Sequence, residues 1–95
     1  MPLLSPDAVQ EKLKKLQGWK LVDKEIVREF KFANFVDALR FVNAVADKAE
    51  AAGHHPDIDI RYNKVKLALV SHDAGGLTER DFELAQAADA LSTKN

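Results

Sequence analysis

The chain has 95 residues, of which 46% are hydrophobic and 31% charged, with a formal net charge of −1 and no cysteine. This length predicts one domain spanning residues 1–95 and excludes two independent cores, while the near-zero charge argues against binding to nucleic acid or anionic membranes. The lack of cysteine excludes disulfides and thiolate metal sites, and because neither a signal peptide nor a membrane-length apolar run is present, we expect a cytoplasmic protein.

The first predicted helix is followed by a pair of strands. Ser5, directly before a proline, is a typical helix N-cap, and Gly18 provides the stop. Hydrophobic residues then alternate with polar ones over residues 19–32, which is the period of a strand whose two faces differ. Asp23 and Lys24 interrupt this alternation and predict a hairpin turn.

A long second helix is predicted between Asn34, its N-cap, and Gly53, its stop. Its apolar residues recur at helical spacing, and we expect the stripe that they form to face the core. The stripe consists of Phe35, Leu39, Val42, Ala46 and Ala49, widened by Val36, Phe41 and Val45.

The second half of the chain repeats the strand pair and adds a third helix. The segments DIDIRY and VKLALV are predicted to be strands joined at Asn63 and Lys64. In the final helix, Thr78 is the expected N-cap and Asp81 completes a capping box. The order α-β-β-α-β-β-α predicts an α+β fold, a single two-layer domain whose four-stranded antiparallel sheet has helices packed on one face. The other face would stay open, as a surface for self-association.

All three histidines are expected to gather at one rim of this sheet. His54 and His55 follow the second helix, and Pro56 keeps the chain extended, so that adjacent side chains point to opposite sides. Glu50 lies about one helical turn before His54. A carboxylate beside an imidazole fixes the tautomer of the ring, as an acid–base centre requires.

The third histidine, His72, is predicted to end the strand that pairs with the one following Pro56. In an antiparallel pair the start of one strand lies beside the end of the next, so we expect Asp57 close to His72. On this basis the HHP segment meets the Ser-His-Asp segment at residues 71–73.

Three other interpretations of these residues stay open at this point. Each residue could be a solvated surface residue, with His54 capping the helix. A metal site could combine His54 and His72 with Asp57 or Asp73, although no HxH or HxxxH spacing is present. Ser71 beside His72 is a weak signal for a hydrolase, because the chain has no nucleophile elbow.

The spacing of these residues resembles the signature of the pterin-4a-carbinolamine dehydratases. The pattern is E-x(3)-H-H-P, five residues, Y, nine residues, H, eight residues and D. It is carried by Glu50, His54, His55, Pro56, Tyr62, His72 and Asp81. The segments GW, IVREFKF, NFVDALRFVNAV, YNKV and GLTERD also resemble the family, so the likeness covers most of the chain.

The resemblance implies the dehydration of 4a-hydroxytetrahydropterin to quinonoid dihydropterin, which recycles the cofactor after aromatic amino-acid hydroxylation. It implies catalysis by His54, His55 and His72 without a metal or another cofactor, the pterin being the substrate. Contacts with the pterin are expected from Glu50, Pro56, Trp19, Ser71 and Asp73, while Asp81 and Tyr62 support the site. The resemblance further implies a homodimer or homotetramer and an aromatic amino-acid hydroxylase system as a partner.

Gly53 departs from the family pattern, because many animal members carry a polar residue directly before the first histidine. Glycine also suits the end of a helix, where a left-handed conformation is common. The alternative function is that of a non-enzymatic dimerisation or assembly partner built on the same scaffold. In such a non-enzymatic protein we would expect some of these histidines to be lost, whereas all three are present here.

Overall fold

The computed structural model describes residues 2–93 and contains the predicted α-β-β-α-β-β-α order. In chain order the elements are α1 (Pro6–Lys14), β1 (Lys20–Val22), β2 (Glu25–Lys31), α2 (Phe35–Ala52), β3 (Asp57–Arg61), β4 (Lys64–Leu69) and α3 (Glu79–Ser92). The Ser5 hydroxyl accepts a hydrogen bond from the Ala8 N–H at the start of α1. Gly18 lies four residues beyond the end of that helix, with φ at +80°, so it serves the following turn rather than the helix terminus itself.

The four strands form one antiparallel sheet in the order β1-β2-β4-β3, which confirms the predicted sheet. Because directly paired residues share a face, the register divides the sheet into a helix-covered face and an open face. On the covered face the buried residues of the two central strands are Ile26, Phe30, Val65, Leu67 and Leu69. The open face carries mostly charged side chains, among them Lys66 and Glu29, which pair in register.

Helix α2 packs on the sheet through one side of the predicted apolar stripe, and not through its centre. The buried residues are Ala38, Phe41, Val45 and Ala49, whereas Phe35 and Val36 are 44% and 55% exposed. At 100° per residue the buried stripe is rotated by about a quarter of a turn from the predicted one. The prediction is confirmed for Phe41, Val45 and Ala49 and wrong for Phe35 and Val36. The apolar surface of α2 is wider than one face, and periodicity alone cannot decide which part of it meets the sheet.

The two hairpin turns differ in how well the sequence located them. Asp23 and Lys24 form the first turn as predicted, with φ at +56° for Asp23. The second turn consists of Tyr62 and Asn63, one residue earlier than predicted, since Arg61 already pairs with Lys64. Tyr62 takes the left-handed φ of +53° that a two-residue hairpin turn demands.

Candidate active site

The two adjacent histidines lie directly after the C-terminal end of α2. Gly53 ends the helix with φ at +63°, and the N–H of His54 donates to the Ala49 carbonyl oxygen at 3.1 Å. This left-handed turn reverses the chain direction without strain at a glycine. The side chain of His54 turns inward and is only 8% exposed, whereas that of His55 is 63% exposed. The two imidazoles therefore lie in different environments, as the extended exit through Pro56 predicts.

His54 forms its side-chain hydrogen bond with the carboxylate of Asp81, at the first turn of α3. The distance from His54 Nε2 to Asp81 Oδ1 is 2.6 Å, and Asp81 is fully buried. The second oxygen, Oδ2, accepts from the Thr78 backbone N–H and from the Ser71 hydroxyl, each at 2.9 Å. Asp81 thus caps α3, as predicted from its capping-box position, and also contacts a histidine, which the sequence did not reveal.

The loop that carries His72 is fastened to the same carboxylate. Ser71 and Gly76 form an isolated β-bridge that closes the base of the loop, and the Ser71 hydroxyl contacts Asp81. β4 ends at Leu69, so His72 lies in this turn and not at the end of the strand as predicted. Asp57 pairs with Ala68, four residues before His72, so the expected closeness of Asp57 and His72 is not seen in the register. The HHP and Ser-His-Asp segments meet through Asp81 instead.

Glu50 pairs with a different histidine from the one expected. Its Oε2 atom contacts Nε2 of His55, five residues later, and not His54. The physical reason is the left-handed turn at Gly53, which directs His54 towards α3 and leaves His55 on the outer side of the last turn of α2. Both partners of this pair are solvent-exposed, with side-chain exposures of 76% and 63%.

Next to His72, Asp73 forms a surface ion pair with Arg80. The Arg80 Nη2 atom donates to Asp73 Oδ1 at 2.7 Å. This hydrogen bond, together with the charge of the guanidinium, lowers the pKa of the Asp73 carboxyl below its ordinary value of 3.8. The pair ties the exposed loop to the first turn of α3, while the His72 side chain stays exposed.

Trp19 lies in the hydrophobic core. Its Nε1 atom donates to Asp89 Oδ1 at 2.8 Å, and its ring meets Phe30 edge to face. Asp89 also accepts from Arg28 at 2.6 Å, and it lies eight residues beyond Asp81, about 12 Å along the axis of α3. Trp19 is therefore anchored well away from the carboxylate that holds His54.

Tyr62 lies at the other end of β3 from the histidine pair. It is 66% exposed in the turn between β3 and β4, and five strand residues separate that turn from half-buried Pro56. Those five residues span about 17 Å. Within one copy of the chain, Tyr62 does not adjoin the histidines.

Thr78 adjoins the site, although the sequence did not predict this. It was seen only as a helix cap, but it is fully buried, and its hydroxyl lies 2.8 Å from that of Ser71. Among residues 2–93 no group of three or more histidine and acidic side chains is arranged to hold a metal ion. Within the same part of the chain, no helix has the length and apolar character needed to span a membrane. What the site offers chemically is one buried imidazole fixed to a carboxylate and an exposed imidazole on the next residue. The loop that carries the third imidazole, exposed His72, is tied to the same carboxylate through Ser71.

Comparison with known proteins gives one consistent result. The family model described as pterin 4 alpha carbinolamine dehydratase matches residues 2–91. A protein of Acidobacterium capsulatum, provisionally named a pterin-4-alpha-carbinolamine dehydratase, is 63% identical over 91 residues, which cover 96% of this chain and 99% of that protein. A protein of Chloroflexus aurantiacus with the same provisional name is 59% identical over 91 residues, covering 96% and 98%.

Two solved structures share the fold. A crystal structure described as a transcriptional coactivator/pterin dehydratase from Brucella melitensis superposes with a TM-score of 0.91 at 36% identity, covering 94% of this chain and 97% of the other. A pterin dehydratase-like protein described as a RuBisCO assembly factor in the alpha-carboxysome gives a TM-score of 0.64 at 24% identity, covering 78% and 86%. The second likeness concerns the fold alone. The family match, in contrast, spans residues 2–91, and the two bacterial relatives are covered over almost their full length. This chain belongs to the pterin 4 alpha carbinolamine dehydratase family.

Proposed function

We propose that this protein dehydrates 4a-hydroxytetrahydrobiopterin to quinonoid dihydropterin by histidine acid–base catalysis. The family supports a dehydratase acting on a pterin carbinolamine. The observation that carries the proposal is the buried hydrogen bond between His54 and Asp81, with the His72 loop fastened to the same carboxylate. Such an arrangement holds one imidazole in a fixed orientation and brings the loop of a second imidazole to the same rim.

The reaction needs two proton transfers. The C4a–O bond breaks, the departing hydroxide takes a proton and leaves as water, and a ring N–H loses a proton to form the new C=N bond. Imidazole can act as donor or acceptor near neutral pH, and one positioned proton transfer typically contributes about 10²–10⁴-fold in rate. We assign these transfers to His54 and His72, with His55 lining the site and Glu50 orienting His55. No metal and no other cofactor is proposed, since the pterin is itself the substrate.

Further pterin contacts are proposed for Pro56, Ser71 and Asp73, which lie in the two segments that meet at Asp81. Of these three contacts the one proposed for Ser71 has the least support, because Ser71 is only 1% exposed. Its hydroxyl, its backbone N–H and its carbonyl oxygen are all hydrogen-bonded within the protein. A role in the site is less well supported for Trp19 and Tyr62, because Trp19 lies in the core and Tyr62 lies in the turn between β3 and β4. Within one chain we therefore limit the site to the rim formed by the two loops and the start of α3.

The decisive experiment follows the decay of the carbinolamine absorbance with purified, EDTA-treated protein. We expect acceleration over the uncatalysed rate, and a loss of most of it in His54→Gln and in His72→Ala. Glutamine at position 54 keeps a donor for Asp81, so the fold should be preserved while proton transfer is lost. Lys31→Ala is the matched control, an exposed residue at the opposite end of β2. An EDTA-treated wild type without any acceleration would show that the protein is not this enzyme.

We further propose that the protein works as a homodimer or homotetramer. The supporting observation is a set of apolar side chains exposed on α2 and on the edge strand β3, namely Phe35 (44%), Val36 (55%), Ile58 (38%) and Ile60 (38%). Edge strands with exposed apolar residues are usually covered in natural proteins. Light scattering after gel filtration tests this proposal, and Ile60→Lys should shift the mass towards the monomer.

The alternative function, a non-enzymatic dimerisation or assembly partner, is less well supported. The histidine–carboxylate geometry has no evident use in such a role, whereas it serves proton transfer directly. The carbinolamine assay separates the two functions, because a vestigial pocket predicts a background rate in the wild type. A cytoplasmic location and association with an aromatic amino-acid hydroxylase system are part of the enzymatic proposal and are testable by fractionation and co-purification.

A further inference from the structure

A buried chain of hydroxyl groups leads to the carboxylate of Asp81. Ser71 and Thr78 are both buried, and their hydroxyl oxygens are 2.8 Å apart. The Ser71 hydroxyl donates to Asp81 Oδ2 at 2.9 Å, which uses its single proton. The Thr78 hydroxyl must therefore donate to Ser71. The proton order along the chain runs from Thr78 through Ser71 to Asp81, each bond polarising the next.

This order determines which oxygen of Asp81 faces which donor. Oδ2 already receives two protons, from the Ser71 hydroxyl and from the Thr78 backbone N–H, each at 2.9 Å. Oδ1 is left for His54 Nε2 at 2.6 Å. An ionised carboxylate can only accept hydrogen bonds, so Nε2 of His54 must carry a proton. In the neutral ring the lone pair then resides on Nδ1.

We propose that Ser71 and Thr78 are positioning residues that act through Asp81 to hold His54 in its Nε2–H tautomer, which leaves Nδ1 as the nitrogen that exchanges protons with the substrate. This inference rests on the proposed dehydratase function for the role of Nδ1, but the tautomer follows from the hydrogen bonds alone. It gives Ser71 a role in the site that needs no direct contact with the pterin.

The inference makes a sharp prediction for Asp81→Asn. The two donors of Ser71 and Thr78 face the Oδ2 position, so the carbonyl oxygen of asparagine should settle there and its NH₂ group should face His54. Nε2 of His54 would then have to accept a proton, which moves the ring proton to Nδ1. The nitrogen that faces the substrate would lose its lone pair.

The experiment is ¹⁵N NMR of the imidazole rings, at a pH where the His54 ring is neutral, combined with steady-state kinetics. We expect the Nε2–H tautomer in the wild type and the Nδ1–H tautomer in Asp81→Asn, with kcat reduced by about 10²–10⁴-fold and KM little changed. Ser71→Ala should reduce kcat by about 10-fold, and Ser71→Thr, which keeps the hydroxyl, should recover part of that loss.

Ser92→Ala is the matched control, because its hydroxyl donates to the Asp89 carbonyl on the same helix, eleven residues beyond Asp81. It should change neither the tautomer nor kcat. An Nδ1–H tautomer in the wild type would overturn the inference, and this measurement needs no variant to fold. An unchanged tautomer in folded Asp81→Asn would overturn it as well. A wild type with the Nε2–H tautomer but no dehydratase activity would refute the proposed function and the role of Nδ1.

Discussion

Replacing Glu50 by glutamine separates the functional value of the exposed carboxylate from its structural value. Glu50 lies in the last turn of α2, where its negative charge faces the negative end of the helix dipole. Its side chain is 76% exposed, and its partner His55 is 63% exposed. Glutamine keeps the length of the side chain and an oxygen that can accept from His55, so Glu50→Gln removes the charge and little else.

The expected effect on stability is small. Even with a protonated imidazole, an exposed pair of this kind contributes only about 0.2–1 kcal/mol, and solvent screening keeps this pair towards the lower end. A carboxylate at the C-terminal end of a helix costs about 0.3–1 kcal/mol, which opposes that gain. The free energy of unfolding of Glu50→Gln should therefore differ from that of the wild type by less than about 0.5 kcal/mol, as measured by urea denaturation.

The expected effect on activity is larger. If Glu50 orients His55 for work on the pterin, loss of the carboxylate should lower kcat/KM by about 10-fold, equivalent to about 1.4 kcal/mol of transition-state stabilisation. The assay is the decay of the carbinolamine absorbance. The matched control is Asp47→Asn, which removes an exposed carboxylate three residues earlier on the same helix. Equal kcat/KM values for the two variants would show that Glu50 is only a helix-surface residue, and a stability loss above about 1 kcal/mol would refute the electrostatic reasoning.

Three further predictions concern the surroundings of the site. Gly53→Ala should lower the free energy of unfolding, measured by urea denaturation, by about 1–2 kcal/mol because of the left-handed φ. Gly53→Asn should lower it by less, and both variants should keep their activity. Equal losses of stability in the two variants would contradict this reasoning. Because Arg80 lowers the pKa of Asp73, their ion pair stabilises the folded protein above pH 3.8, and this stabilisation is lost as the pH falls through the lowered pKa. Arg80→Gln should raise the pKa of Asp73 in a carboxyl ¹³C titration. An unchanged titration midpoint would exclude the pairing. Trp19→Phe removes the hydrogen bond to Asp89 and should lower the free energy of unfolding by about 1–2 kcal/mol, while kcat/KM stays unchanged. A fall in kcat/KM would show that Trp19 contributes to the site after all.

The elements of the fold were predictable because each carries local signals. Asn34 and Thr78 stand at the starts of helices, Gly53 stands at an end, and alternation marks the strands. Which part of the wide apolar surface of α2 meets the sheet was not predictable, since Phe35 and Phe41 lie on different faces and both are apolar. That choice depends on how the helix docks on the sheet, which a single helix does not encode.

The candidate site shows the same division between local and long-range information. The sequence predicted that the segments around His54 and His72 meet, because hairpin pairing brings strand ends together. It could not predict the partner of each histidine. The contact of His54 with Asp81 joins residues 27 positions apart through the docking of α3, and the capping box had already given Asp81 a sufficient local explanation. A residue with one evident role can hold a second one that only tertiary structure reveals.

Asp81 makes the positions of two histidines dependent on each other. One oxygen holds His54, and the other holds Ser71, which closes the base of the loop that carries His72. Residues that share a partner do not respond independently to mutation, so the effects of Ser71→Ala and His54→Gln on kcat should be clearly non-additive. Glu50→Gln acts on His55, outside this network, and its effect should add to that of Ser71→Ala. Additivity in the first pair would mean that the loop and His54 are held separately, despite their common carboxylate.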